Sequence, residues 1–281
     1  MKSYITYKNQ TQGIKDVSET VKTVEKIAAS SVHFLKQKVS NLNFYATETE
    51  RVLARLSLFY QEKDHPLLQK REAGRETLVI LTGDKGLVGG LWHGVVNTFL
   101  ENTKQYQIVI VIGAKGENYL KEESIPIIKS FTHIPDILQK EEVEHVSDYI
   151  FDEFKKRTFS RVDILYPQFI SLAEQTPNLT QFLPFEFKLT KEKKNGKGLP
   201  IFEPSKQKVF DQLLQKYIGI FFYKIIMETK LSELSARTVA MEHAAAKTEE
   251  FIQKLTLDYT KQRRRIITQR QLEIFAAHKI L

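Results

Sequence analysis

Residues 227–269 read METKLSELSARTVAMEHAAAKTEEFIQKLTLDYTKQRRRIITQ and contain neither proline nor glycine. One set of residues recurs at alternating steps of four and three: Met227, Leu231, Leu234, Thr238, Met241, Ala245, Thr248, Ile252, Leu255, Tyr259, Gln262, Ile266 and Gln269. A sustained repeat of about 3.5 residues is typical of a helix in a left-handed coiled coil. The stripe loses its apolar character after Tyr259, which indicates that the partner helix ends or changes there.

The N-terminal segment is the predicted partner of this helix. No proline precedes Pro66, and Gly13 is the single glycine in that run. A second stripe recurs at steps of three and four, with one seven-residue gap: Val17, Val21, Val24, Ala28, Ser31, Leu35 and Leu42. We therefore expect two long terminal helices in an antiparallel coiled coil. The alternative is ordinary core packing within a helical bundle.

The middle of the chain changes to short apolar runs rich in β-branched residues. These runs predict strands at Thr77–Thr82, Gln107–Gly113, Ile125–Ile128, Val162–Tyr166 and within Phe182–Leu199, which also holds the lysine-rich loop Lys191–Gly198. Helices fit between them, around 90–103 and 135–156, and this alternation is typical of βαβ units in a mostly parallel sheet. The predicted fold is α/β, with a Rossmann-like domain (66–203) inserted between N-terminal (1–65) and C-terminal (204–281) coiled-coil helices.

Composition narrows the classes of protein without selecting one. The chain has no cysteine, which excludes disulfides, zinc–thiolate sites and cysteine nucleophiles. Its net charge of +8 permits contact with nucleic acid, an anionic membrane or an acidic protein. The first residues lack the apolar run of a signal peptide, and no stretch approaches the roughly 18 apolar residues of a membrane span. We expect a cytoplasmic protein.

The loop Gly83–Gly90 follows a predicted strand and precedes a predicted helix, the usual position of a phosphate-binding loop. Its glycine spacing matches neither the Walker pattern nor the dinucleotide fingerprint, and Trp92-His93 stand where a Walker loop has Lys-Ser or Lys-Thr. A tight turn with close helix–sheet packing is therefore favoured over nucleotide binding.

Glu141, Glu142 and His145 form one Glu-x-x-His pattern on a predicted helix. A carboxylate-bridged metal site in a bundle needs a second such helix, and the sequence has no second copy. A solvated helix face is favoured, and no spacing suggests a catalytic triad. The sequence predicts no active site, metal or cofactor.

The densest basic patch lies on the last helix and consists of Lys261, Arg263, Arg264, Arg265 and Arg270. Such a patch suits phosphates, the acidic loops of a protein partner, or plain solvent. No nucleic-acid recognition module accompanies it, and aromatic residues are sparse around it.

Several strings, in order along the chain, resemble the γ subunit of F-type ATP synthases. The C-terminal helix matches the family's S-E-x-x-A-R-x-V-A-M and I-T-Q-E-x-x-E-I at 232–241 and 267–274. In the middle, the strings at 84–91, 162–169 and 181–184 are similar to D-R-G-L-C-G-G-L, V-x-x-V-Y-T-x-F and Q-L-L-P, and 27–30 is similar to the family's V-A-A-S. The resemblance spans nearly the whole chain.

This resemblance implies the central rotor shaft of an F-type ATP synthase or ATPase, not itself an enzyme. The implied partners are a hexamer of catalytic and non-catalytic subunits, an ε subunit and a membrane proteolipid ring, with no nucleic acid. The implied location is peripheral, on the inner face of the bacterial cell membrane. Carried over by position, Arg263, Thr268 and Gln269 contact loops of the catalytic subunits, and Glu203 faces the ring.

Several positions depart from the family pattern. Val24 and Glu25 replace a methionine and a lysine near the expected catalytic-subunit contacts, and Ser31 replaces another lysine. Arg270 replaces a glutamate, and Pro200 replaces an aromatic residue at the ring-facing end. We treat Val24 and Glu25 as further candidate partner-binding residues. The departures leave open a γ-like shaft of a paralogous motor not coupled to ion transport, and more remotely a coiled-coil scaffold or nucleic-acid-binding protein.

Overall fold

The computed structural model describes residues 4–57, 65–71, 74–101, 105–133, 135, 140–186 and 202–278, without the side chains of residues 140, 141, 277 and 278. Within these ranges, two long helices, α1 (Tyr4–Ser57) and α5 (Lys206–His278), flank the α/β elements in the sequence. Those elements are β1 (Arg75–Leu81), α2 (Leu91–Leu100), β2 (Ile108–Ile112), α3 (Ala114–Glu122), β3 (Lys129–Phe131), α4 (Lys140–Lys155), β4 (Phe159–Phe169) and β5 (Gln175–Leu183). The predicted fold class is confirmed.

The strands form one sheet in the order β3-β2-β1-β4-β5. The pairs β3–β2, β2–β1 and β1–β4 are parallel, and β5 runs antiparallel to β4. All five residues of β2 and the last five of β1 are buried. Helices or other elements must therefore cover both faces of these central strands, which explains why the two runs are continuously apolar in the sequence.

The strand predicted at Ile125–Ile128 is wrong, because β3 begins one residue later, at Lys129. The amide of Ile125 donates to the carbonyl of Leu120 at 2.9 Å and so closes the end of α3. Ile125 and Ile127 then pack against the apolar cluster between the sheet, α2 and α3. The apolar run is a loop that covers this cluster.

The last predicted strand is also displaced. β4 continues to Phe169, and β5 returns from Gln175, with Phe169 paired to Gln175 in the register. Only Phe182 and Leu183 of the predicted range 182–199 belong to β5, and residues 187–199 lie outside the described residues. The start of β5 could not be predicted from the sequence because this edge strand is polar and mostly exposed over its first half.

Contacts group the chain into two compact units, residues 31–236 and residues 1–30 with 237–281. Each long helix contributes to both units. The domain boundaries predicted at 65/66 and 203/204 lie near the ends of the long helices. They divide the chain on a different basis from the contact units and stay a prediction.

In the larger unit, the sheet has an apolar core on each face. One core joins the sheet to α4 and to the nearby parts of α1 and α5, with Leu53, Phe154, Phe182 and Phe222 fully buried. The other core joins the sheet to α2 and α3. The parts of α1 and α5 in this unit are antiparallel, because Glu50 accepts a hydrogen bond from Tyr217 while Lys38 lies over the ring of Tyr223.

In the smaller unit, α1 and α5 pair as antiparallel helices. Lys22 forms an ion pair with Glu249 at 3.5 Å, and the rings of Tyr4 and Tyr259 lie 6.1 Å apart. The predicted stripe on α5 is buried or half-buried through this unit: Met241, Ala245, Thr248, Ile252, Leu255, Tyr259, Gln262 and Ile266. Residues 267–276 are all exposed, including Gln269 of the predicted stripe.

The stripe on α1 is shifted at one position. Val17 is 49% exposed, whereas Ser18 is 4% exposed. The observed stripe repeats as Tyr4, Tyr7, Thr11, Ile14, Ser18, Val21, Glu25 and Ala28. The assignment of Val17 was therefore wrong: the repeat of about 3.5 residues places a small hydroxyl at the seam and the valine beside it.

Candidate partner-binding surface

The most exposed part of α5 carries the residues expected to contact the catalytic subunits. Arg263, Thr268 and Gln269 are all exposed, and Gln269 donates a hydrogen bond to Glu273 at 3.1 Å. Arg263 and Thr268 are five residues apart, which turns them about 140° from each other around the helix. The structure thus offers these side chains on different faces of one helix.

The charge of this segment is strongly positive. The cations Lys261, Arg263, Arg264, Arg265 and Arg270 are all exposed, and Glu273 is the single acidic residue between 261 and 276. Exposed Ile267, Leu272, Ile274 and Phe275 stand among them. We call residues 261–276 the α5 tip. Its mixture of guanidinium groups and bare apolar side chains suits a protein surface with acidic and apolar parts.

Val24 and Glu25 lie in α1 within the same compact unit, and both are half-buried. Glu25 occupies a position of the observed stripe, so its side chain emerges at the edge of the helix pair. Glu203, the residue expected to face the ring, is exposed and belongs to the other unit.

The glycine loop is explained by packing against the start of α3. The carboxylate of Asp84 accepts a hydrogen bond from the amide of Ala114 at 2.7 Å, and the hydroxyl of Thr82 accepts one from Gly116 at 3.0 Å. The first turn of a helix attracts anions through such free amides. In this chain the side chain of Asp84 takes that position.

Sequence reasoning missed a group of buried polar residues on α5 in the larger unit. Ser232 and Glu233 are almost fully buried, and Lys230 bonds the carboxylate of Glu233 at 3.0 Å. Burial raises the pKa of the neighbouring Glu228, although Lys224 and a backbone hydrogen bond from Phe169 act against the rise. The polar string 228–233 between apolar neighbours was the available signal.

A second missed feature is Leu87, which is 65% exposed and has a φ of 63°. Left-handed backbone is unfavourable for a residue with a side chain, and an exposed leucine gains little from burial. Leu87 is therefore a candidate contact residue of the larger unit.

None of the helices in the described parts of the chain is long and apolar enough to cross a membrane.

Comparison with known proteins places the chain in a family. The family model for ATP synthase matches residues 3–281. The ATP synthase gamma chain of Symbiobacterium thermophilum is 30% identical over 268 residues, which cover 94% of this chain and 93% of the relative. That of Moorella thermoacetica is 27% identical, covering 96% of this chain and 95% of the relative.

Solved structures show the same fold. A chain of the Euglena gracilis mitochondrial ATP synthase, in a structure of OSCP, F1 and the c-ring, superposes with a TM-score of 0.69 at 17% identity over 98% of this chain and 93% of that one. A chain of the Tetrahymena thermophila central stalk and c-ring gives a TM-score of 0.60 at 17% identity over 80% of this chain and 99% of that one. With a family model that matches almost every residue, the chain belongs to the family of ATP synthase γ subunits.

Proposed function

We propose that this chain is the central-stalk shaft of an F-type ATP synthase or ATPase and couples rotation to ATP synthesis or hydrolysis in a surrounding hexamer. The observation that carries the proposal is the helix pair of the smaller unit, together with membership of the γ subunit family. Two helices packed along a seam resist bending better than one, and α5 extends beyond the seam as an exposed basic tip.

In this proposal the chain itself catalyses nothing. The α5 tip contacts loops of the catalytic subunits through Arg263, Thr268 and Gln269, with Val24 and Glu25 as further contacts. An asymmetric shaft would hold the surrounding nucleotide sites in different conformations, so that nucleotide turnover and rotation become linked.

The remaining partners are an ε subunit and a membrane proteolipid ring, with Glu203 on the ring side. The complex would then lie on the inner face of the bacterial cell membrane, without nucleic acid. Its relatives supply the precedent: the Euglena and Tetrahymena structures contain a c-ring together with the matching chain.

Purification of the native complex tests this proposal. The chain carrying an affinity tag after Leu281 should co-purify with a hexameric ATPase, and low-resolution images should show the hexamer on a central stalk. Purification of the folded, tagged chain without any ATPase subunit would contradict the proposal.

A second candidate is a γ-like shaft in a paralogous motor that is not coupled to ion transport. The observation in its favour is the change of charge at Glu25 and Arg270 relative to the family pattern, at positions expected to face partners. The same images separate the two: a ring below the stalk supports the ion-coupled synthase, and a stalk that ends on other proteins supports the paralogous motor.

A further inference from the structure

A short segment of α5 in the larger unit is hydrogen-bonded to the carboxyl end of β4. The hydroxyl of Ser232 donates to the carbonyl of Pro167 at 2.8 Å, and Ser232 is fully buried. One turn earlier, the half-buried Glu228 lies beside the same strand end, where the backbone N–H of Phe169 favours the charged form of its carboxylate. Two successive turns of the helix thus meet the same strand end, one of them through a hydrogen bond.

The same segment also meets the end of β1. Glu233 is 2% exposed, and its Oε2 lies 3.0 Å from Nζ of Lys230. A Cβ on Gly83 would lie 3.0 Å from that carboxylate oxygen and 2.6 Å from the ring of Trp92. Because no side chain fits at Gly83, the carboxylate of Glu233 sits directly against the backbone that follows β1. We call Glu228, Lys230, Ser232 and Glu233 the polar joint.

Stabilisation of the fold does not account for the burial of these polar side chains. The surrounding residues of α5, including Ile225, Ile226 and Leu231, are buried apolar side chains that already hold the helix to the sheet. Burying carboxylates is costly, and replacing a buried ion pair by apolar residues is often neutral or stabilising. The joint therefore supplies something that apolar packing does not.

The property that the joint supplies is a restraint with a defined direction. Apolar contact is non-directional, so a helix held by it alone can rotate or slide slightly against a sheet at little cost. Hydrogen bonds weaken steeply when their angle changes. The bond from Ser232 and the carboxylate of Glu228 at one strand end, with Glu233 at the next strand, fix both the rotation and the height of α5 against the sheet.

We propose that the polar joint is the element that prevents slip between α5 and the α/β sheet when torque passes from one to the other. This inference rests on the proposed function, because only a shaft under load needs such a lock. The joint residues act by positioning α5 and do not contact the nucleotide.

The absence of cysteine from the sequence makes a direct test possible, because two introduced cysteines are the only labelling sites. Spin labels at Glu122→Cys on α3 and Gln215→Cys on α5 use exposed positions of the larger unit. Electron–electron double resonance on the full chain then gives the distribution of distances between α3, which packs on the sheet, and α5. The joint is broken by Ser232→Ala combined with Glu228→Ala, which together remove the donor hydroxyl and the acceptor carboxylate.

Ser235→Ala is the matched control. Ser235 is fully buried on the same helix, and its hydroxyl has no hydrogen-bond partner within the described structure. The joint variant is expected to broaden the distance distribution while its thermal midpoint stays above the temperature of measurement, and Ser235→Ala is expected to leave the distribution narrow. An unchanged distribution in the joint variant, or equal broadening in the control, would overturn the inference.

The role of the joint in transmitting torque is measured in the purified complex. A bead attached through Glu122→Cys should show larger angular fluctuations during catalytic pauses when the joint is broken, with ATP turnover by the hexamer retained. Fluctuations equal to those of the Ser235→Ala complex would refute the torque role. Failure of the unmodified chain to assemble with a hexamer counts against the proposed function instead, and the spin-label result still decides whether the joint holds α5.

Discussion

At the scale of single residues, the larger unit contains one fully buried carboxylate with two donors. Asp163 on β4 has no exposed surface and accepts hydrogen bonds from the hydroxyl of Tyr106 at 2.8 Å and from Nε of Arg161 at 3.0 Å. Burial, with the adjacent Asp163, raises the pKa of the Tyr106 hydroxyl, which therefore stays a donor at any ordinary pH. The three side chains form a network between β4 and the segment that leads into β2.

We expect Asp163→Ala to lower the free energy of unfolding by about 2–4 kcal/mol, because the buried hydroxyl of Tyr106 loses its acceptor. Asp163→Asn keeps an acceptor oxygen and should cost about half as much. Urea unfolding followed by the fluorescence of Trp92, the single tryptophan and a buried residue of this unit, measures the change. Asp148→Ala, at an exposed position of α4, is the control, and an equal loss in both alanine variants would contradict the assignment.

A second residue-scale feature is His65, which is almost fully buried beside α5. Its Nδ1 accepts a hydrogen bond from the amide of Leu67, and its Nε2 lies 3.7 Å from Oδ1 of Asp211. Burial lowers the pKa of the imidazole, Asp211 acts against this, and Lys155 reinforces it. The imidazole is therefore neutral in the folded chain at neutral pH.

This lowered pKa predicts a loss of stability in acid. Above pH 6.5, the ordinary pKa of histidine, both states are neutral and His65 contributes no pH dependence. As the pH falls below 6.5, the unfolded chain binds the proton first, so stability decreases until the folded pKa is reached. The free energy of unfolding is measured by urea unfolding and Trp92 fluorescence at about pH 8 and pH 5.5, for the natural chain and for His65→Asn. The comparison isolates the effect of His65 because other titrating groups are common to both chains. An identical acid loss in the two chains would disprove it.

At the scale of elements, the seam of the smaller unit is set by the repeat and tolerates polar residues. Ser18, Thr11 and Thr248 occupy stripe positions that apolar residues usually hold in a coiled coil. Thr11 and Thr248 satisfy their hydroxyls within their own helices, by donating to Tyr7 and Ala245. Small polar residues of this kind let two helices approach without leaving an unpaired donor.

Adjacent substitutions on α1 test the register. Val17→Glu should change stability by less than about 0.5 kcal/mol, since Val17 already faces solvent. Ser18→Glu should cost at least about 2 kcal/mol, because the seam buries the new carboxylate. Trypsin cleavage after Lys15 and Lys22, compared between the variants, reports opening of this helix pair. Equal cleavage in the two variants would contradict the observed register.

At the scale of the whole molecule, the proposed shaft predicts an effect on coupling without an effect on folding. Arg263→Ala with Gln269→Ala removes two exposed side chains of the α5 tip, so the thermal midpoint should stay the same. In the purified complex, coupled ATP turnover and torque should decrease, because the catalytic-subunit loops lose a cation and a hydrogen-bonding group.

The matched control is Arg264→Ala with Gln271→Ala, which removes the same residue types from exposed positions of the same helix. Turnover and torque of this control should remain near those of the natural chain. Equal losses in both double variants would indicate a general effect of tip charge, and unchanged turnover in the first would exclude the assigned contacts.

Much of the architecture could be predicted because a regular residue pattern in the sequence corresponds to one arrangement in space. The α5 stripe was correct from Met241 to Ile266 because a repeat of about 3.5 residues has one geometric solution. The central strands were located because strands buried on both faces are continuously apolar. The start of β5 and the position of β3 could not be located in the same way. An exposed edge strand and a loop over an apolar cluster carry no such pattern.

The sequence by itself determined the two long helices, the parallel core of the sheet and the membership of the γ family, because periodicity and ordered motifs are properties of the chain alone. Only the tertiary structure decided that Ser18 and not Val17 lies at the seam, that Asp84 caps α3, and that Ser232 and Glu233 are buried at the strand ends. Those facts depend on which groups meet across distant parts of the chain, and hydrogen bonds between such groups leave no period in the sequence.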